Sequence, residues 1–142
     1  MLVAIIGESC VGKSTLAEAL RSELDAEVFT GKDYLRLAKN ETIAKKLFQK
    51  KLSEAVVSGN CIYVISEKEH LELLPADAVR ILMTADLDLI QERFARRMKG
   101  VLPPPVKLML ERKHGIFDRI DADYRIHNGE NAVDVCKAIA HK

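Results

Sequence analysis

Apolar runs and amphipathic stretches alternate along the chain. "LVAII" (Leu2–Ile6), "CIYVI" (Cys61–Ile65) and "AVRILM" (Ala78–Met83) are nearly continuous apolar segments, as expected of strands buried on both faces. "EVF" (Glu27–Phe29) and "YRI" (Tyr124–Ile126) are shorter strand candidates. Between them the spacing turns helical. Leu16, Ala17, Leu20 and Leu24 share one face of a helix beginning near Lys13. "KDYLRLAKN" and "TIAKKLFQKKLSEAVVSG" also read as helices, the second stopping at Gly59. "DLDLIQERFARRM" is a helix opened by acidic residues. "GVLPPP" (Gly100–Pro105) breaks the pattern, and helices follow from about Val106 to His114 and over "ENAVDVCKAIAHK". Strands alternating with helices predict a three-layer α/β domain with a mainly parallel sheet. In such sheets ligands bind beyond the carboxyl ends of the strands, here the loops after Ile6, Phe29, Ile65, Met83 and Ile126.

The 142 residues suit a single domain, 1–142, with no internal repeat. Apolar residues make up 48% and charged residues 30%, and the net charge is +1. Nothing in that balance points to nucleic acid or an anionic membrane as a partner. No apolar run approaches the ~20 residues of a membrane span. The first apolar stretch breaks at Gly7, too soon for a signal-peptide core, so a cytoplasmic location is expected. Cys10, Cys61 and Cys136 are widely separated and lack zinc spacing, which predicts reduced thiols. Cys61 and Cys136 read as small core residues, and Cys10 as a loop residue whose nearby helix N-terminus would favour the thiolate, or as a small residue filling a tight loop.

The loop after the first strand carries the sharpest motif. "GESCVGKS" fits G-x-x-x-x-G-K-[S/T], with Gly7, Gly12, Lys13 and Ser14 at the defining positions. Glu8, Ser9, Cys10 and Val11 lie between them and Thr15 follows. Glycines permit a backbone that turns successive N–H groups inward, and the helix N-terminus adds positive potential, so the segment suits a phosphate chain. Lys13 is expected to reach the β- and γ-phosphates and Ser14 to ligate Mg²⁺. A strand before the motif and a helix after it supply the required context.

With "GESCVGKST" near the start of a small α/β chain, the sequence resembles the P-loop small-molecule and nucleotide kinases, such as adenylate, cytidylate and shikimate kinases. The resemblance implies a P-loop NTPase fold, a five-stranded parallel sheet in the order 2-3-1-4-5 and a mobile lid. It also implies ATP and Mg²⁺ as cofactors and a small molecule as phosphate acceptor.

"LIQERFARRMKGVLPPP" places Arg93, Arg96 and Arg97 on one helix, with Arg93 and Arg97 four apart on a shared face. Clustered guanidiniums suit the charge that spreads over a transferring phosphoryl group, and they equally suit a solvated basic face paired with Glu92. By resemblance, the R-x-x-x-R pair starts the lid, placing Arg93 on adenine and Arg97 on the phosphates. The lid would then span about 98–112, stiffened by its three prolines. Arg112 is an acceptor-phosphate candidate, while Lys113 and His114 read as surface residues.

On the acceptor side, Asp33 in "VFTGKDYLRLA" holds the place where related kinases keep an acid for the acceptor hydroxyl, and it is equally a natural helix N-cap. Arg36, one turn on, would meet an anionic group of the acceptor. After the third strand, "YVISEKEH" offers Ser66 and Glu67 but no Asp; Glu67 would orient Mg²⁺ through water or merely start the next helix. In "HNGENA", Asn128 and Gly129 would pass beside the adenine or simply cap the last helix. The expected function is ATP-dependent transfer of a γ-phosphoryl group to a nucleotide monophosphate or a small hydroxylated metabolite. The alternative is a nucleotide-binding switch or interaction module with little transfer. A GTPase version lacks any N-K-x-D guanine-reading motif.

Overall fold

The computed structural model describes residues 1–142. Five parallel strands form one sheet: β1 (Leu2–Gly7), β2 (Glu27–Thr30), β3 (Cys61–Ile65), β4 (Val79–Thr84) and β5 (Tyr124–His127). The spatial order is β2-β3-β1-β4-β5, as the resemblance implied. The helices are α1 (Lys13–Leu24), α2 (Glu41–Val57), α3 (Leu87–Arg97), α4 (Pro104–Lys113) and α5 (Ala132–Ala140). Two short 3₁₀ turns, Asp33–Leu37 and Lys68–Leu73, follow β2 and β3.

Every residue of β1 is buried, because helices cover both faces of the sheet. Alternation along the strand then divides the core. Val3 and Ile5 pack with Leu16 and Leu20 of α1 and Val135 and Ile139 of α5. Leu2, Ala4 and Ile6 pack with Phe48 and Leu52 of α2, together with Tyr34 and Phe117. Each large apolar side chain so buried contributes about 1.5–3 kcal/mol.

Three sequence expectations change in detail. "KDYLRLAKN" forms only a 3₁₀ turn over Asp33–Leu37, and Lys32 rather than Asp33 is its flanking residue. The Asp33 carboxylate instead accepts a 2.8 Å hydrogen bond from the Thr30 N–H, tying the turn back to the end of β2. Pro104 and Pro105 lie inside the first turn of α4, where their missing N–H groups have no intrahelical partner to lose. The loop between α3 and Pro103 therefore spans only residues 98–102, with Lys99 and Gly100 at φ 63° and 89°.

Candidate active site

β1 sits mid-sheet, so the loop leaving it lies between the carboxyl ends of β3 and β4. Gly7 pairs with Met83 of β4 so closely that an added Cβ would lie 2.5 Å from the Met83 carbonyl oxygen. Only glycine lets the chain pass there. Cys10 at φ 64° and Gly12 at φ 102° then curl the loop back into α1.

The loop closes on Lys13, whose side chain is buried. Its ammonium donates to the Gly7 carbonyl at 2.7 Å and to the Glu8 carbonyl. These partners are neutral dipoles. Burial pulls its pKa down from 10.5 to about 8, against the attraction of the Cys10 and Glu8 side chains, and nearby Arg97 adds to the fall. A desolvated cation held only by carbonyls fits an incoming anion, and the glycine-bearing loop leading into the N-terminus of α1 fits a phosphate chain. Ser14 and Thr15 are exposed at the start of α1. No group of three His, Cys, Asp or Glu side chains gathers anywhere to hold a metal unaided. A single hydroxyl at Ser14 suits Mg²⁺, which keeps most of its waters and relies on phosphate oxygens.

A cavity of about 930 Å³ opens beside the loop, between α1 and α5. Its loop end is lined by Cys10, Gly12 and Thr15, with Arg93 and Arg97 of α3 and Gly129 after β5. Arg93 donates to the Cys10 carbonyl at 2.9 Å, so this arginine is anchored directly to the loop. Arg96 turns away and pairs with Glu92 on the exposed side of α3. The structure thus separates three arginines that the sequence grouped: two face the cavity and one is a solvated helix partner. Cys136, expected in the core, is half-buried and lines the same cavity.

The side of the loop facing α4 is closed by polar contacts. Glu8 is buried beneath the end of α4, where its carboxylate accepts from the Gly115 N–H at 3.1 Å and meets His114 Nδ1 at 3.1 Å. His114 is thus a partner of the phosphate loop, and nothing in the sequence signalled a pairing 106 residues apart. Lys113 pairs with Glu67 at 3.3 Å. Between these contacts, lined also by Ser9 and Ser66, remains a space of about 30 Å³, room for one water. Asp33 is exposed and engaged with Thr30, Arg36 stacks over the Phe29 ring at 4.6 Å, and Arg112 is exposed on α4. None of the three lines either cavity. Asn128 is half-buried, and its amide is bonded to Asp86.

No protein-family model matches the chain, and no curated protein matches it. Solved structures do. A tunicamycin resistance protein from Deinococcus radiodurans aligns with TM-score 0.66 at 18% identity, covering 97% of this chain and 94% of the other. A shikimate kinase from Acinetobacter baumannii, in complex with shikimate, aligns with TM-score 0.64 at 16% identity, covering 99% and 93%. A sugar kinase from Janibacter aligns with TM-score 0.64 at 13% identity, covering 99% and 92%. Sheet order, phosphate loop and these likenesses agree: the chain has the fold of the P-loop kinases.

Proposed function

We propose that the protein is an ATP-dependent kinase that phosphorylates a small molecule. One observation carries the reading: the buried Lys13 ammonium, with no anionic hydrogen-bond partner, shares a loop with a cavity mouth walled by Arg93 and Arg97. Lys13 with Arg97 near it suits a triphosphate tail and the charge that develops as its terminal group leaves. When bound, Mg·ATP supplies the phosphoryl group. Lys13 holds the β- and γ-phosphates, loop N–H groups cradle the chain, Ser14 ligates the metal and Arg97 contacts the phosphates. Arg93, fixed by the Cys10 carbonyl, flanks the adenine.

On the acceptor side Asp33, Arg36 and Arg112 remain the candidates for the acceptor hydroxyl and its anionic groups. An acceptor approaching past the end of α4 would displace the Lys113–Glu67 pair. That pair is half exposed and worth no more than about 1 kcal/mol, so it is readily displaced. The Lys113–Glu67 and Glu8–His114 contacts leave room there for only one water. The same closure supports a second reading, a nucleotide-binding module without transfer.

An ATP-consumption screen over small hydroxylated metabolites and nucleotide monophosphates tests both. Acceptor-dependent ADP formation that disappears in Lys13→Ala supports the kinase. Tight ATP binding with no acceptor-dependent turnover supports the module.

A further inference from the structure

The most highly connected polar cluster lies at the carboxyl ends of β4 and β5. Thr84 and His127 are register partners across the two strands, and Thr84 Oγ1 meets His127 Nδ1 at 2.8 Å. The other ring nitrogen, Nε2, meets Asp86 Oδ1 at 3.2 Å. The second Asp86 oxygen accepts from the Asn128 amide at 3.0 Å, while the Asn128 amide oxygen accepts from the Asp86 N–H at 3.0 Å. The Asn128 N–H donates to the Thr84 carbonyl at 2.9 Å. Both ring nitrogens, both carboxylate oxygens and both ends of the amide are engaged. The Asn128 amide, with His127 beside it, holds the Asp86 carboxyl below its ordinary range.

The cluster joins the two walls of the donor cavity. Asp86 immediately precedes α3, which carries Arg93 and Arg97. His127 and Asn128 open the turn that carries Gly129 and Ala132 on the facing wall. Asp86 and His127 are largely exposed, so their contacts add little to stability. What they supply is a fixed spacing between two loops about forty residues apart in the chain.

We propose that Asp86, acting through His127 and Asn128, is the positioning residue of the donor site, a clasp that sets the gap into which the nucleotide base fits. The proposal rests on the donor-site reading above. It also places the Asn128 side chain in the clasp and leaves the backbone of the turn to face the base. A preset gap spares the nucleotide the entropy of ordering that turn on binding. The phosphate chain, held by the loop and Lys13, does not use the gap.

That difference supplies the test. Calorimetric binding of ATP and of inorganic tripolyphosphate is compared in the wild-type protein and in Asp86→Ala, Asn128→Ala and Asp86→Asn. The expected result is about tenfold weaker ATP binding in the two alanine variants, with tripolyphosphate affinity unchanged within about twofold. Asp86→Asn should stay within about threefold of wild type for ATP. The new amide N–H donates to His127 Nε2 once the ring moves its proton to Nδ1, and Thr84 Oγ1 accepts it there. Unchanged ATP binding in both alanine variants overturns the clasp. So does an equal loss for both ligands, because a merely structural role would weaken the phosphate loop as well. A wild-type protein that binds no ATP overturns the donor-site reading itself, and the clasp with it.

Discussion

If the proposed donor site is right, Lys13 makes nucleotide binding a proton-linked event. In the free protein its pKa is about 8, because burial strips water from the ammonium and only backbone carbonyls replace it. A bound phosphate chain returns a negative charge to the site, and the pKa rises again. Below pH 7 the lysine is already charged and binding takes up almost nothing. At pH 8 it is half neutral, and binding should draw in about 0.5 proton; at pH 9 the uptake should approach about 0.9. Calorimetry with ATP in magnesium-free buffers of different ionisation enthalpy measures the number directly. The terminal phosphate does not confuse it, since its last proton is lost near pH 6, roughly two units lower. Stability of the free protein carries the same signature. Between pH 8 and 10.5 the unfolded chain still holds the lysine proton while the folded one has released it. Stability contributed by this residue therefore rises with pH across that window, by roughly 3 kcal/mol in all. Uptake below about 0.1 proton at both pH 8 and pH 9 would refute the reasoning. It would mean that Lys13 is either ordinarily solvated before binding or does not meet the phosphate.

Three further variants probe separate parts of the site. Gly7→Ala sets a methyl 2.5 Å from the Met83 carbonyl oxygen and 2.8 Å from Val11 Cγ2, and should cost about 1–3 kcal/mol, read as a lower Tm; an unchanged Tm would refute the close β1–β4 passage. Glu8→Ala leaves the Gly115 N–H and His114 without their acceptor and should cost about 1–3 kcal/mol, with faster amide exchange at Gly115 as the local sign. Arg93→Ala combined with Arg97→Ala should slow phosphoryl transfer by more than about tenfold, a barrier increase above roughly 1.4 kcal/mol. Undiminished transfer would return both arginines to the status of Arg96.

The residues of the proposed donor half that the structure brings together were legible in the sequence and the contacts around the proposed acceptor half were not, and the reason is chain distance. Gly7 through Ser14 is one uninterrupted segment whose job requires glycines and a lysine at set spacing, so composition and function coincide. Arg93 and Arg97 are one helical turn apart, so a local rule put them on one face. The same rule could not separate Arg96, because its partner Glu92 obeys it too. The contacts that shape the remainder join distant segments: Glu8 with His114, Glu67 with Lys113, Asp86 with Asn128. They meet because β1 lies between β3 and β4 and β5 lies beside β4, so loops that are remote in sequence share one edge of the sheet. No periodicity encodes such a meeting. The consequence bears on function. A buried carboxylate at Glu8 ties the loop after β1 to the end of α4, and Lys113 on the same stretch of chain pairs with Glu67 after β3. On the proposed function, a movement of α4 that admitted an acceptor would pull on the loop proposed to hold the donor, and the Glu8–Gly115 contact, which only the fold creates, would couple the two.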